Sequence, residues 1–208
     1  MFNDPIAVDK FKQLVDEFGV KTAVETGTEK ALGTLNIARF INKVYSVEIN
    51  KEFFEGAKAR LISEGFAQAV CREHVSFHIN STKEITLFCG NSPEVISQII
   101  KYLDEPIIFY LDAHWMDYWP IKDEIRAIKP RPNSLIVIHD FKVPGKPFGY
   151  DVYNGQALDY DFVKDELAYV NPNYKFYYNE EAAGSYRGIL YALPKEAECK
   201  QSRWAPNE

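Results

Sequence analysis

Two apolar runs of this sequence end in residues that can bind a cation or move a proton. The first, PIIFYLDA (106–113), leads into LDAHW with Asp112 and His114; the second, SLIVIHDF (134–141), carries His139 and Asp140. Carboxylates and imidazoles brought together from two strand tips can hold a divalent ion while leaving positions for a substrate. A neutral imidazole can instead take the proton of a reacting hydroxyl, and His114 and His139 both qualify. The blander reading is that Asp112 orients a bound amino group while His139 packs against the sheet.

Three further strings have the types that hold a nucleotide-like molecule. VETGTEKALG (24–33) follows an apolar run and precedes a helical pattern, offering Glu25, Thr26, Gly27 and Thr28. Gly27 allows close backbone approach, Glu25 can accept from a cationic amino group, and the threonines supply hydroxyls. Glu48 ends KVYSVEI (43–49), 21 residues after Gly27, where an acidic side chain can bind both hydroxyls of a ribose. CGNSPE (89–94) adds Asn91 and Ser92, the serine being equally suited to cap the helix that Pro93 opens.

The elements that must carry these residues alternate. Helical periodicity covers Val8, Phe11, Leu14, Val15 and Phe18, opened by Asp4-Pro5 and stopped by Gly19. Strands are predicted at 22–26, 43–49, 84–89, 106–113 and 134–141, with helices at about 31–42, 51–63, 93–103, 120–128 and 159–169. VSFHI (75–79) reads as a short strand or a loop. YKFYYN (174–179) and GILYAL (188–193) are too close for a crossover helix, so they should pair antiparallel. The expected fold is α/β: a Rossmann-like, doubly wound, mostly parallel sheet with an antiparallel C-terminal hairpin, in one domain over 1–208 with its core at about 20–194.

Composition narrows the function. A net charge of -6 argues against a nucleic-acid partner, and Lys129, Arg131, Lys142 and Lys146 make only a thin cluster best read as solvation. The three cysteines form no CxxC, so neither a disulfide framework nor a zinc site is expected, and Cys89 reads as a buried structural thiol. No apolar run suits a membrane span and no signal peptide is apparent, which predicts a cytoplasmic protein.

A parallel sheet closed by an antiparallel hairpin, with these three loops in order, resembles the class I S-adenosylmethionine-dependent methyltransferases. GxGxxG is absent, which separates the chain from dinucleotide-dependent oxidoreductases or hydroxylases. The resemblance implies S-adenosylmethionine bound by Glu25, Thr26, Gly27, Thr28, Glu48, Asn91, Ser92 and Asp112. LDAHW and IHDF further resemble the metal-dependent O-methyltransferases of catechols, sugars and macrolides. That implies Asp112 and Asp140 as ligands of a divalent metal such as magnesium. His139 stands where those enzymes carry an acid, so a softer metal or none is also open. Methyl transfer to a hydroxyl of a small-molecule acceptor is then the expected activity, with Asp112, His114 and His139 as catalytic candidates. Trp115, Tyr118 and Trp119, with Tyr150 and Tyr153 in the Gly- and Pro-rich stretch after Asp140, would form the acceptor pocket, unless these rings fill a homodimer interface or a satellite core. A degenerate methyltransferase fold kept as a binding module is the non-enzymatic alternative. No (N/D)PPY stands at the fourth strand, which disfavours base methylation.

Overall fold

The computed structural model describes residues 4–70, 75–79, 82–104, 106–114, 118–195, 197 and 205–206. Helix α1 (Pro5–Phe18) starts where the Asp4 carboxylate accepts from the amides of Ile6 (2.9 Å) and Ala7 (3.2 Å), and it stops at Gly19 in the left-handed region. Then follow β1 (Thr22–Thr26), α2 (Leu32–Phe40), β2 (Lys43–Glu48), α3 (Lys51–Ser63), β3 (Ala67–Val70), β4 (Val75–Ile79) and β5 (Lys83–Cys89). The second half runs α4 (Ser92–Ile99), a 3-10 turn (Ile100–Tyr102), β6 (Ile107–Leu111), α5 (Ile121–Ile128) and β7 (Leu135–His139). It ends with the short pair β8 (Val152–Tyr153) and β9 (Gln156–Ala157), α6 (Tyr160–Val170), β10 (Lys175–Tyr178), β11 (Ile189–Leu193) and β12 (Ala205–Pro206).

The main sheet has the order β12-β10-β11-β7-β6-β1-β2-β5-β4-β3. Its centre, β5-β2-β1-β6-β7, is parallel throughout. The expected C-terminal hairpin is present: β11 pairs antiparallel with both β10 and β7. The sheet also gains antiparallel strands at its other edge, where β4 pairs with β5 and β3 with β4. VSFHI is therefore a strand.

Alternation along the strands sorts the core into two faces. Ala23, Val44, Ile85, Ile108, Tyr110 and Leu135 pack under α1, α2 and α3 with Phe11, Leu14, Ile37 and Leu61. Val24, Val47, Phe109, Leu111, Ile136 and Ile138 pack under α4, α5 and α6 with Ile96, Ile125, Ile128 and Leu167. Burial on both sides explains why β6 and β7 read as continuous apolar runs. Arg131, grouped by sequence with solvated lysines, instead donates to the carbonyls of Leu103 (2.9 Å) and Ile100. Cys89 corrects another expectation: it is exposed, standing one residue past the last buried position of β5 at the strand's open end. Among the described residues no helix is long and apolar enough to cross a membrane.

Asp4 does more than cap: its second oxygen accepts from the Ala183 amide (2.7 Å), tying the first helix to the loop before β11. Asp4→Ala should therefore cost about 1–2 kcal/mol, the upper part of the range for lost caps, in urea unfolding. A loss below 0.5 kcal/mol, on the order of noise for such fits, would mean the tie carries no load.

Candidate functional site

The chain leaves β1 for β2 and β5 on one side, then returns to place β6 on the other. The strand order thus reverses between β1 and β6, the position where open α/β sheets hold ligands outside the strands' carboxyl ends. Gly27 follows β1 and Asp112 follows β6. With φ at 81°, Gly27 adopts a conformation that disfavours side chains, and a Cβ there would stand 2.8 Å from the Asp112 carbonyl oxygen. The glycine is required twice over.

A cavity of about 310 Å³ opens at these tips, the lower end of the size range of small-molecule sites. Gly27, Glu48, Asn91, Ser92, Asp112, His114, Tyr118, His139 and Asp140 all line it. Glu48 anchors the wall: its two oxygens accept from the Glu29 and Asn50 amides, each at 2.8 Å, and keep lone pairs for a further donor. The amides of Gly27 and Thr28 bond the Val47 carbonyl at 3.0 and 3.2 Å, so the glycine loop is strapped to the end of β2.

Glu25, Thr26 and Thr28 lie beneath that wall, in place of the ligand contacts expected from sequence. Glu25 is buried and accepts from Thr34 (2.5 Å) and Ser46 (2.6 Å). Burial pushes its carboxyl up to about 7 against those two bonds. Thr28 shares a 2.6 Å bond with Ser46, and the Thr26 hydroxyl accepts from the Asp112 amide at 3.3 Å. These side chains fix the loop from below. Ser92 behaves differently from the cap expected of it: Asn91 holds the cap position of α4, while the Ser92 hydroxyl donates to buried Glu124 of α5. Sequence reading missed Glu124, which looks like one more helix-surface acid. Among the described residues its other oxygen has no hydrogen-bond partner.

The acidic end of the cavity is a cluster. His139 Nδ1 lies 3.1 Å from an oxygen of Asp112 and 3.1 Å from Asp140. Burial alone would lower the imidazole, but the charge and hydrogen bond of Asp112 and the bond to Asp140 hold it up at about 9. The two carboxylates favour its charged form and engage Nδ1, which removes that nitrogen as a base. Asp140, despite its burial, is held well below the usual carboxylate range by bonds from His139 and Arg187. Arg187 spans Asp140 and Asp151, donating Nε to one and Nη2 to the other. Neither Arg187 nor Asp151 was visible as a site residue, since 47 residues separate Arg187 from Asp140. His114 remains on the cavity wall with more than half its side chain exposed, 4.0 Å from Asp151. The ligand atoms of Asp112, His139 and Asp140 lie within 4.8 Å of one another, and so do those of His114, Asp140 and Asp151. Either spacing would admit a cation.

The aromatic residues divide. Tyr118 lines the cavity and donates to Asp123 at 3.0 Å. Trp119 borders a small recess behind the cavity, stacked on Phe162 at 5.1 Å and 5.8 Å from Tyr153. Tyr150 and Tyr153 are not on the cavity wall: Lys142 covers Tyr150, and Tyr153 belongs to the β8–β9 hairpin that packs on Trp119. Trp115 lies outside the described residues.

Glu124 makes stability depend on pH. Burial, with the Asp112 charge adding to it, raises its carboxyl from 4.5 to about 7 although Ser92 and Thr26 bond it. Its contribution is complete below pH 4.5 and is lost as pH rises through about 7. Glu124→Gln keeps a carbonyl for Ser92 and stays neutral, so the fall in unfolding free energy across that window should flatten, by roughly 3 kcal/mol at most. Urea unfolding at several pH values measures this, and an unchanged slope would contradict the assignment.

No family model and no curated protein matches this sequence. Solved structures do. An O-methyltransferase from Bacillus cereus in complex with SAH superposes with a TM-score of 0.59 at 16% identity, covering 91% of this chain and 81% of that one. TomG from Streptomyces achromogenes, an O-methyltransferase of tomaymycin synthesis in complex with SAM, gives 0.60 at 15% identity over 90% and 79%. An rRNA methylase from Streptococcus thermophilus gives 0.52 at 12% over 90% and 94%. With that strand order and these neighbours, the chain has the Rossmann-like fold of the class I S-adenosylmethionine-dependent methyltransferases.

Proposed function

We propose that this chain transfers a methyl group from S-adenosylmethionine to a hydroxyl of a small molecule. The observation that carries the reading is that Gly27, Glu48, Asn91, Ser92 and Asp112, from the tips of four parallel strands, line one cavity at the reversal of strand order. S-adenosylmethionine supplies an electrophilic methyl group on a sulfonium. Gly27 admits the cofactor close to the backbone, the free lone pairs of Glu48 take the ribose hydroxyls, and Asn91 and Ser92 border the base. Asp112, with its amide held by Thr26, accepts from the amino group. Transfer then depends chiefly on alignment, which a wall strapped at Val47 and Glu48 provides.

His114 takes the proton of the acceptor hydroxyl. His139 is engaged by two carboxylates, whereas His114 is accessible on the cavity wall beside Asp151. Tyr118 and the recess at Trp119 shape the acceptor side. The rRNA methylase among the structural neighbours raises RNA as another acceptor. Glu29 and Glu48 on the cavity wall, where Asp112 and Asp140 are already paired, with no lysine or arginine among the described lining residues, oppose a polyanion and favour a neutral or cationic small molecule.

Calorimetric titration with S-adenosylmethionine should give one site per chain at micromolar affinity. Glu48→Ala should weaken it about tenfold or more, by losing charged hydrogen bonds. Gly27→Ala should weaken it further, because a Cβ would meet Asp112. Absence of binding by the wild-type protein would sink the reading. With an acceptor in hand, His114→Ala should slow transfer about a hundredfold near neutral pH without changing cofactor affinity; an unaltered rate would exclude the histidine.

A further inference from the structure

The two groups of residues spaced to hold a metal share one member, Asp140. Its Oδ1 already accepts from His139 Nδ1 and from Arg187 Nε, and the same guanidinium reaches Asp151 through Nη2. An arginine in this position does not step aside by losing its proton. Its place is also built into the backbone. A Cβ on Gly149 would lie 2.9 Å from Arg187 Nη1 and 3.1 Å from its Cδ, and one on Gly188 would collide with the Phe141 carbonyl oxygen. The amide of Gly149 donates to the Tyr186 carbonyl and that of Gly188 to the Gly149 carbonyl, each at 2.9 Å. Two glycines thus bring the segment before β11 and the loop before β8 close enough to hold the guanidinium between them.

We propose that Arg187 is the resident cation of this site, a positioning residue that, with His139, occupies the carboxylates a divalent metal would need, so that the chain works without one. Three acids, Asp112, Asp140 and Asp151, face the Arg187 guanidinium and the His139 ring, and the fork of Arg187 clamps the loop before β8 against the tip of β7. A divalent ion on the remaining oxygen of Asp140 would stand beside the guanidinium held by Oδ1, and the two cations would repel. The proposal deepens the methyl-transfer reading and rests on it for the site's purpose, but not for the identity of the cation.

Manganese(II) titration, read by electron paramagnetic resonance on the purified full chain, tests it. Wild-type protein should show no site tighter than about 1 mM. Arg187→Met, checked for folding by its thermal transition, should bind the ion at least about tenfold more tightly, and adding Asp140→Asn should remove the gain. Arg187→Lys, which keeps the charge, should remain as weak as wild type. One manganese per wild-type chain at micromolar affinity, lost in Asp140→Asn, would overturn the proposal, as would a folded Arg187→Met that gains nothing. If that variant does not fold, the wild-type titration decides alone. Cofactor affinity measured on the same samples separates the two readings: metal-free protein that fails to bind S-adenosylmethionine defeats the methyl-transfer reading only, and a metal site in cofactor-binding protein defeats only the resident arginine.

Discussion

The site depends on how closely two strands can approach at their tips. Where strand order reverses, the turn after β1 passes against the Asp112 carbonyl with no room for a methyl group. That contact sets the floor of the cavity, brings Thr26 under the Asp112 amide and places the Gly27 and Thr28 amides on Val47. Glu48 then ties the loop and the start of α3 to one carboxylate. A ligand wall with backbone contacts on both sides has little freedom to lose on binding, which is the condition for positioning a reaction rather than merely enclosing it.

Beneath the wall, charge is handled by burial and pairing. Glu25 and Glu124 sit within the protein near Asp112, and both are pushed toward the neutral form by burial and by that charge. The acids at the β7 tip are paired: Asp140 meets His139 and Arg187, which hold its carboxyl down, and Asp151 meets Arg187. Acids pushed toward the neutral form under the glycine loop and paired acids at the β7 tip lower the cost of crowding so many carboxyls together.

Much of this was legible in the sequence because it follows from local rules. The apolar runs of β6 and β7, the cap at Asp4 and the single glycine after β1 each carry their own signal, and five strand tips collect what they bear at one edge. Glu48, Asn91, Ser92 and Asp112 line one cavity. The failures have a common cause. Whether Glu25 points into the cavity or under it depends on Thr34 and Ser46, which no spacing rule connects to it. Arg187 finds Asp140 only through tertiary pairing of β11 with β7. The β8–β9 hairpin did leave a trace: Asn154-Gly155, both at positive φ, is the turn such hairpins prefer, but it was absorbed into a loop rich in glycine and proline.

The position of β11 has a consequence for how the protein is made. It is among the last strands of the chain, yet it lies inside the sheet, between β7 and β10. While the chain is still emerging, β7 is therefore an open edge of bare amides and carbonyls, and the acids at its tip lack the arginine that precedes β11. The part of the cavity formed by β1, β2, β5 and β6 can assemble well before this happens. The two halves of the site thus mature at different times during synthesis, and the half at the β7 tip is finished by the segment that also closes the exposed edge.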